Sequence, residues 1–331
     1  MTAALTTPAA PRPRPARWVL RLHRPTLYAW AGFVLVLTAL LLALRGPLAD
    51  AAAEGWRSYD ACGFARKCSY DQAAILRYKD YYDYATYALN AVPFLVAGWA
   101  GAALIGRELE TGTARLSWAQ SSSPARWLAV RLAVPALAVT AGTCLLSWLH
   151  DLAWLAGRGR IDTAKDWTDR FTFHANGPTT AALALAGLAC GVLAGLLLRR
   201  TLPALVLGVV LTGAVRGLAE WLLPHLWPPV TRESTLHQGF AGSGLVVDQG
   251  MIDRSGAHVP VPRCGSSAQC KAAFADLTGY YNAYHPYSHF WPLQLTTSAL
   301  ILAVAGLLVP ASFLVLRRLT GTARLTRKAT A

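Results

Sequence analysis

Six stretches of this sequence are long and apolar enough to cross a lipid bilayer, and nothing else in it constrains the fold as tightly. Hydrocarbon offers the backbone no hydrogen bonds, so a crossing segment must supply its own, and about 20 residues of helix do this. The stretches lie at about 27–44, 84–105, 132–155, 179–198, 202–227 and 290–316. Pro93, Pro135, Pro203, Pro292 and Pro310 fall in or near them, as neighbouring helices permit. The third stretch ends in Trp148, His150, Asp151 and Trp154, residues suited to an interface. Composition agrees: 54% of the 331 residues are hydrophobic and 15% charged, where a soluble domain has about 25% charged. Such a chain is too apolar for disorder. Its cations are mostly Arg flanking the apolar runs, which speaks against nucleic acid as a partner. The expected fold is an all-α polytopic membrane protein with one transmembrane domain over 27–316.

Charge orients the spans. Sixteen cations, among them Arg107, Arg115, Arg126, Arg131, Arg199, Arg200, Arg317 and Arg318, fall on one side, against Glu108 and Glu110 alone. The loops opposite balance to zero, so that one side carries the whole net charge of +14. Both termini are therefore expected in the cytoplasm of a multi-pass plasma-membrane protein. Residues 1–26 form a cytoplasmic tail, disordered through about Pro15, and 317–331 a basic cytoplasmic tail. The first apolar run is longer than a signal-peptide core, so no cleavable leader is expected. Outer loops fall at about 47–83, 156–178 and 228–289, the first and last large.

Cysteines test this orientation independently. Cys62 and Cys68 lie in the first outer loop and Cys264 and Cys270 in the last, each pair as C-x5-C on the oxidising side. Two local disulfides fit; four cysteines also permit bridges between the loops. Zinc is the weaker alternative, because no His stands at finger-like spacing.

The segment from Arg107 to Leu128, between spans two and three, is too apolar for a solvated loop, with Leu109, Leu116, Trp118, Trp127 and Leu128. Ser123-Pro124 can cap and start a helix. One reading is an amphipathic helix on the lipid surface with Arg115 and Arg126 at head groups. The other is a docking element for a cytoplasmic protein, anchored by Trp118 and Trp127, which also gives Glu108 and Glu110 a purpose.

The run Glu108-x-Glu110-x-Gly112-Thr113-x-Arg115-Leu116-x-Trp118-x-Gln120-Ser121, followed by Arg126-Trp127-Leu128, resembles the cytoplasmic segment of actinobacterial ABC-2-type transporter permeases. The order of spans and loops is similar from about residue 18 to 318, and Leu198-Arg199-Arg200-Thr201-Leu202-Pro203, Tyr284-His285-Pro286 and Phe290-Trp291-Pro292 support it. Ser122-Ser123-Pro124 departs from the Val/Thr/Arg-like stretch of many relatives. The resemblance implies six transmembrane helices with a coupling helix between the second and third. Glu108 and Glu110 would lie near the bend and Arg115 to Leu128 nearer a separate ATPase subunit. It also implies two ATPase copies, a second permease chain as a homodimer, and export of a small molecule, peptide or lipid. ATP and Mg would sit on the partner, with no cofactor on this chain.

No lysine follows a glycine, so the chain lacks a P-loop; H-E-x-x-H and G-x-S-x-G are also absent. Gly242-Ser243-Gly244 reads as a turn. Arg216 and Glu220, four apart in span five, share a helix face and pair within the membrane. Gly187, Gly191 and Gly195 make a small-residue stripe for helix packing, within a subunit or at a dimer seam. The rival functions are a membrane-embedded enzyme using His150, Asp151, Arg216 and Glu220, and an anchor or receptor that works without an ATPase.

Overall fold

The computed structural model describes residues 24–63, 68–120, 123–162 and 164–329, apart from the side chains of Gln120 and of 322–329. The basic tail ahead of Arg24, Ser121, and the side chains of Arg324, Arg327 and Lys328 lie outside the described residues. Six described helices are long and apolar enough to cross a membrane.

The first, α1 (Arg24–Arg45), breaks at Gly46, and Pro47 starts α2 (Pro47–Ala61) at the helix position where its missing N–H costs nothing. The expected loop over 47–83 is thus largely helical. Its turn is closed by the Cys62–Cys68 disulfide, and α3 (Gln72–Trp99) begins at once, capped by Asp71 Oδ1 accepting from Ala74 N at 2.9 Å. Past Trp99 the helix widens into a π turn, Ala100–Gly106, and continues as α4 (Arg107–Glu110). Gly112, at φ +75°, separates α4 from the surface helix α5 (Thr113–Gln120). The long α6 (Pro124–Gly157) starts with Ser123 as cap and Pro124 in its first turn. A short buried helix, α7 (Arg170–Ala175), precedes α8 (Thr179–Leu198), which ends on Arg199 in the left-handed region. Then come α9 (Thr201–Leu222) and, after residues 223–289, α11 (Phe290–Ala329), with α10 (Ser267–Ala273) between them.

The glycine stripe sets how closely the helices pack. A Cβ on Gly187 would strike the Pro93 carbonyl, one on Gly191 the Ala97 carbonyl, and one on Gly195 would lie 2.8 Å from Ile105. A Cβ on Gly101 would lie 2.6 Å from the Ala204 carbonyl. The backbones of α3, its π turn, α8 and α9 therefore touch, and the stripe works inside this chain.

One expectation is corrected. Residues 228–289 are not an irregular part of an all-α protein: they contain a four-stranded antiparallel sheet, ordered β1 (Val230–Thr235), β4 (Leu277–His285), β2 (Leu245–Asp253), β3 (His258–Val259). Val230 stands opposite Tyr284 and Leu245 opposite His285. Met251, Tyr281, Asn282, Tyr284 and His285 are buried on it, while β1 is almost wholly exposed. A second disulfide joins Cys264 to Cys270 beside α10. The bundle therefore has a sheet end and, opposite, a segment end formed by α4, α5 and the start of α6.

Candidate functional site

At the segment end the two glutamates of the sequence motif have separate partners. Glu108 is buried. Both of its oxygens accept from the Arg131 guanidinium (2.6 Å to Oε1), and the Trp127 indole N–H donates to Oε2 at 3.3 Å. Arg131, 2% exposed, lies one turn along α6 from Trp127, with its guanidinium 4.3 Å from that ring's centroid. Trp118 meets Trp127 edge to face at 5.5 Å. Burying a lone carboxylate or guanidinium costs several kcal/mol, so this pair holds only while both partners are present.

Glu110 is exposed and turns the other way. Its Oε2 accepts from the Thr201 amide at 2.9 Å and the Thr201 hydroxyl at 2.5 Å. The first turn of a helix has N–H groups without helical partners, so Glu110 caps α9 from another part of the chain. Thr113 and Thr111 close the turn around Gly112: the Thr113 hydroxyl donates to the Glu108 carbonyl at 3.2 Å, and the Thr111 hydroxyl to the Arg107 carbonyl at 2.8 Å. Between them, two carboxylates tie α4 to both α6 and α9.

The anchors are placed otherwise than the sequence suggested. Trp127 is 3% exposed and packs with Leu104, Ile105, Leu128 and Leu196 in the chain's own core, so it is not offered to a partner. Trp118 is half-buried against the same cluster. Apolar character was read as docking, whereas it anchors α5 to the bundle. What α5 exposes is Thr113, Arg115, Leu116 (62% exposed) and Ala119, with Arg126 nearby at the start of α6. The side chain of Gln120 lies outside the described residues. Arg131 and Thr201 were missed as functional partners. The only signal for Arg131 was its i+4 spacing from Trp127, and for Thr201 its place after Arg199-Arg200.

At the sheet end, the four residues of the enzyme alternative do not converge. The Thr86 hydroxyl lies between the Tyr82 carbonyl, at 2.7 Å, and His150 Nε2, at 2.8 Å. His150 Nδ1–H donates to the Asn176 side-chain oxygen, so Nε2 accepts from the Thr86 hydroxyl. Gln294 donates to the Phe173 carbonyl and accepts from the Thr179 hydroxyl. This neutral network joins α3, α6, α7, α8 and α11. Arg216 Nε donates to Glu220 Oε1 at 2.7 Å within α9, and His174 Nε2 lies 3.4 Å from the same oxygen. Among the described residues no hydrogen bond or ion pair links His150 or Asp151 to Arg216 or Glu220. On the sheet, His285 Nε2 donates to the Pro224 carbonyl at 3.0 Å and Nδ1 faces His289 Nδ1 at 3.1 Å; burial first, then His289, holds its pKa below the ordinary histidine range.

A family model described as ABC-2 membrane transporter related matches residues 31–223, more than half of the chain and the part that contains α3 to α9. No curated protein and no solved structure matches the chain.

Proposed function

The chain belongs to the ABC-2 membrane transporter related family, and from that premise we propose that it is the permease subunit of an exporter in a bacterial plasma membrane. Permeases of this family generally work with a separate ABC ATPase. In this reading the segment end faces the cytoplasm and the sheet end lies outside, where disulfides persist. Two copies of the chain stand over two ATPase subunits. ATP and Mg are bound below, and this chain hydrolyses nothing. It exports a small molecule, a peptide or a lipid.

One observation carries this reading: α5 exposes Arg115 and Leu116 while its other face is fixed to the bundle. A surface helix so held can receive a push. The Glu108–Arg131 pair passes displacement to α6 and the Glu110–Thr201 cap passes it to α9. Closure of the ATPase pair then rocks two spans at once. A helix resting on lipid would gain little from either link.

The test is a pull-down of the tagged chain in mild detergent beside Arg115→Glu/Leu116→Ser, with co-purifying chains identified by mass spectrometry. Both replaced side chains are exposed, so the thermal midpoint should hold. A P-loop ATPase recovered with the wild type and lost with the variant is the expected result. If no ATPase is recovered even after cross-linking in intact membranes, the reading is wrong and an anchor or receptor takes its place.

A further inference from the structure

Where α6 leaves the membrane at the sheet end, the chain builds a small polar cavity that the transport reading does not use. Arg158 is the first residue past α6, and the chain then turns at Gly159, φ +71°. The Arg158 guanidinium lies 3.8 Å from the centroid of the Tyr287 ring and 5.0 Å from that of Trp154. Those two rings are 5.9 Å apart. Trp154 is 2% exposed and its indole donates to the Lys165 carbonyl at 2.8 Å, so the aromatic platform is fixed. Arg158 itself is exposed, and among the described residues no carboxylate lies within ion-pair distance of it. The neighbouring cations are engaged: Arg160 pairs with Asp50 at 2.8 Å, and Lys165 lies 3.9 Å from Asp83.

Arg158 opens on a cavity of about 310 Å³, which Trp56, Asp162 and Asp166 also line, together with the engaged Arg160 and Lys165. A guanidinium held against aromatic rings spends none of its N–H groups on them, and its planar fork matches the oxygens of a phosphate. The place selects the source of the phosphate. Arg158 stands one residue beyond a membrane-spanning helix, among Trp56, Trp154, Trp167 and Tyr287, the residue types that collect at head-group level. Arg160 and Lys165 are offset by Asp50 and Asp83, so the two remaining aspartates on the cavity would repel a purely anionic ligand. They suit one that carries a positive group beside its phosphate.

We infer that this cavity binds the head group of a phospholipid with an ammonium next to its phosphate, Arg158 taking the phosphate and Asp162 and Asp166 the ammonium. The volume admits a head group, while the acyl chains lie outside along the helices. The site needs only a membrane-embedded chain, so it stands whether or not an ATPase partner is found.

The experiment is native mass spectrometry of the full chain, delipidated in detergent and offered phosphatidylethanolamine, phosphatidylglycerol or soluble phosphoethanolamine in turn. Phosphatidylethanolamine should stay bound at one copy per chain. Retention should fall at least tenfold in Arg158→Gln and less in Arg158→Lys, which keeps the charge. Asp162→Asn/Asp166→Asn should erase the preference over phosphatidylglycerol. Equal retention by the wild type and Arg158→Gln, both with the wild-type thermal midpoint, overturns the inference. So does phosphatidylglycerol binding as tightly as phosphatidylethanolamine. Stoichiometric binding of soluble phosphoethanolamine that excludes the lipid also overturns it, by assigning the cavity a soluble ligand.

Discussion

The two ends of the bundle are held together by different chemistry. At the segment end, helices distant in sequence are joined through carboxylates: Glu108 reaches Arg131 on α6, and Glu110 reaches Thr201 on α9. At the sheet end, the interior is joined by neutral groups, His150, Asn176, Gln294 and Thr179. Arg216 pairs with Glu220 along one helix there, and the pairs Arg160–Asp50 and Lys165–Asp83 lie at its surface. A neutral network loses a modest amount when one member is removed. A buried ion pair loses far more, because the survivor is left charged in a low dielectric. The segment end is thus the end where one substitution does most, and where a second can undo it.

This difference can be broken at its strong point first. Glu108→Ala strands the Arg131 guanidinium and should cost about 3–5 kcal/mol, seen as a large drop in thermal midpoint in detergent. Glu108→Arg combined with Arg131→Glu should recover a good part of it. If the reversed pair melts no higher than Glu108→Ala, the pairing is not what holds that end. Gln294→Leu at the other end leaves the Phe173 carbonyl and the Thr179 hydroxyl without their partner, and about 1–3 kcal/mol is expected. A loss as large as that of Glu108→Ala would erase the distinction between the ends.

The smallest effect is set by pH. The fold holds His285 neutral with a lowered pKa, whereas the unfolded chain binds its proton near the ordinary value of 6.5. Its contribution is therefore complete above that value and is lost as pH falls below it. Melting followed from about pH 7.5 to about pH 5.5 should show a decline whose slope is shallower in His285→Asn. An unchanged slope would mean that the sheet end owes nothing to this imidazole.

How much of this was legible in the sequence follows from the range of each interaction. Apolar runs are local, and all six long apolar helices of the structure lie where such runs stand in the sequence. The C-x5-C pairs are local too, and each pair is joined in the structure. The sheet was not legible. Val230–Thr235 is exposed along nearly its whole length and carries no apolar alternation, and its partner Leu277–His285 lies more than forty residues away. Glu108 and Arg131 are separated by 23 positions, a distance at which no periodicity speaks. Trp127 misled because an aromatic beside cations looks the same whether it anchors a surface helix or faces a partner; only its burial against Leu104 and Leu196 separates the two.

The small-residue stripe has a mechanical consequence. Where Gly187, Gly191, Gly195 and Gly101 bring backbone against backbone, no layer of side chains lies between α3, α8 and α9 to slide or change rotamer. Those three helices move as one stiff plate. Between α1, α3 and α6 the contact runs through side chains, Trp30, Phe33, Val92, Val96, Val134 and Val139, around a cavity of about 280 Å³, with the Trp30 indole donating to the Ala138 carbonyl of α6 at 3.1 Å. If α5 is the lever proposed above, a push on it turns that plate against α1 and α6 along the softer seam rather than bending it.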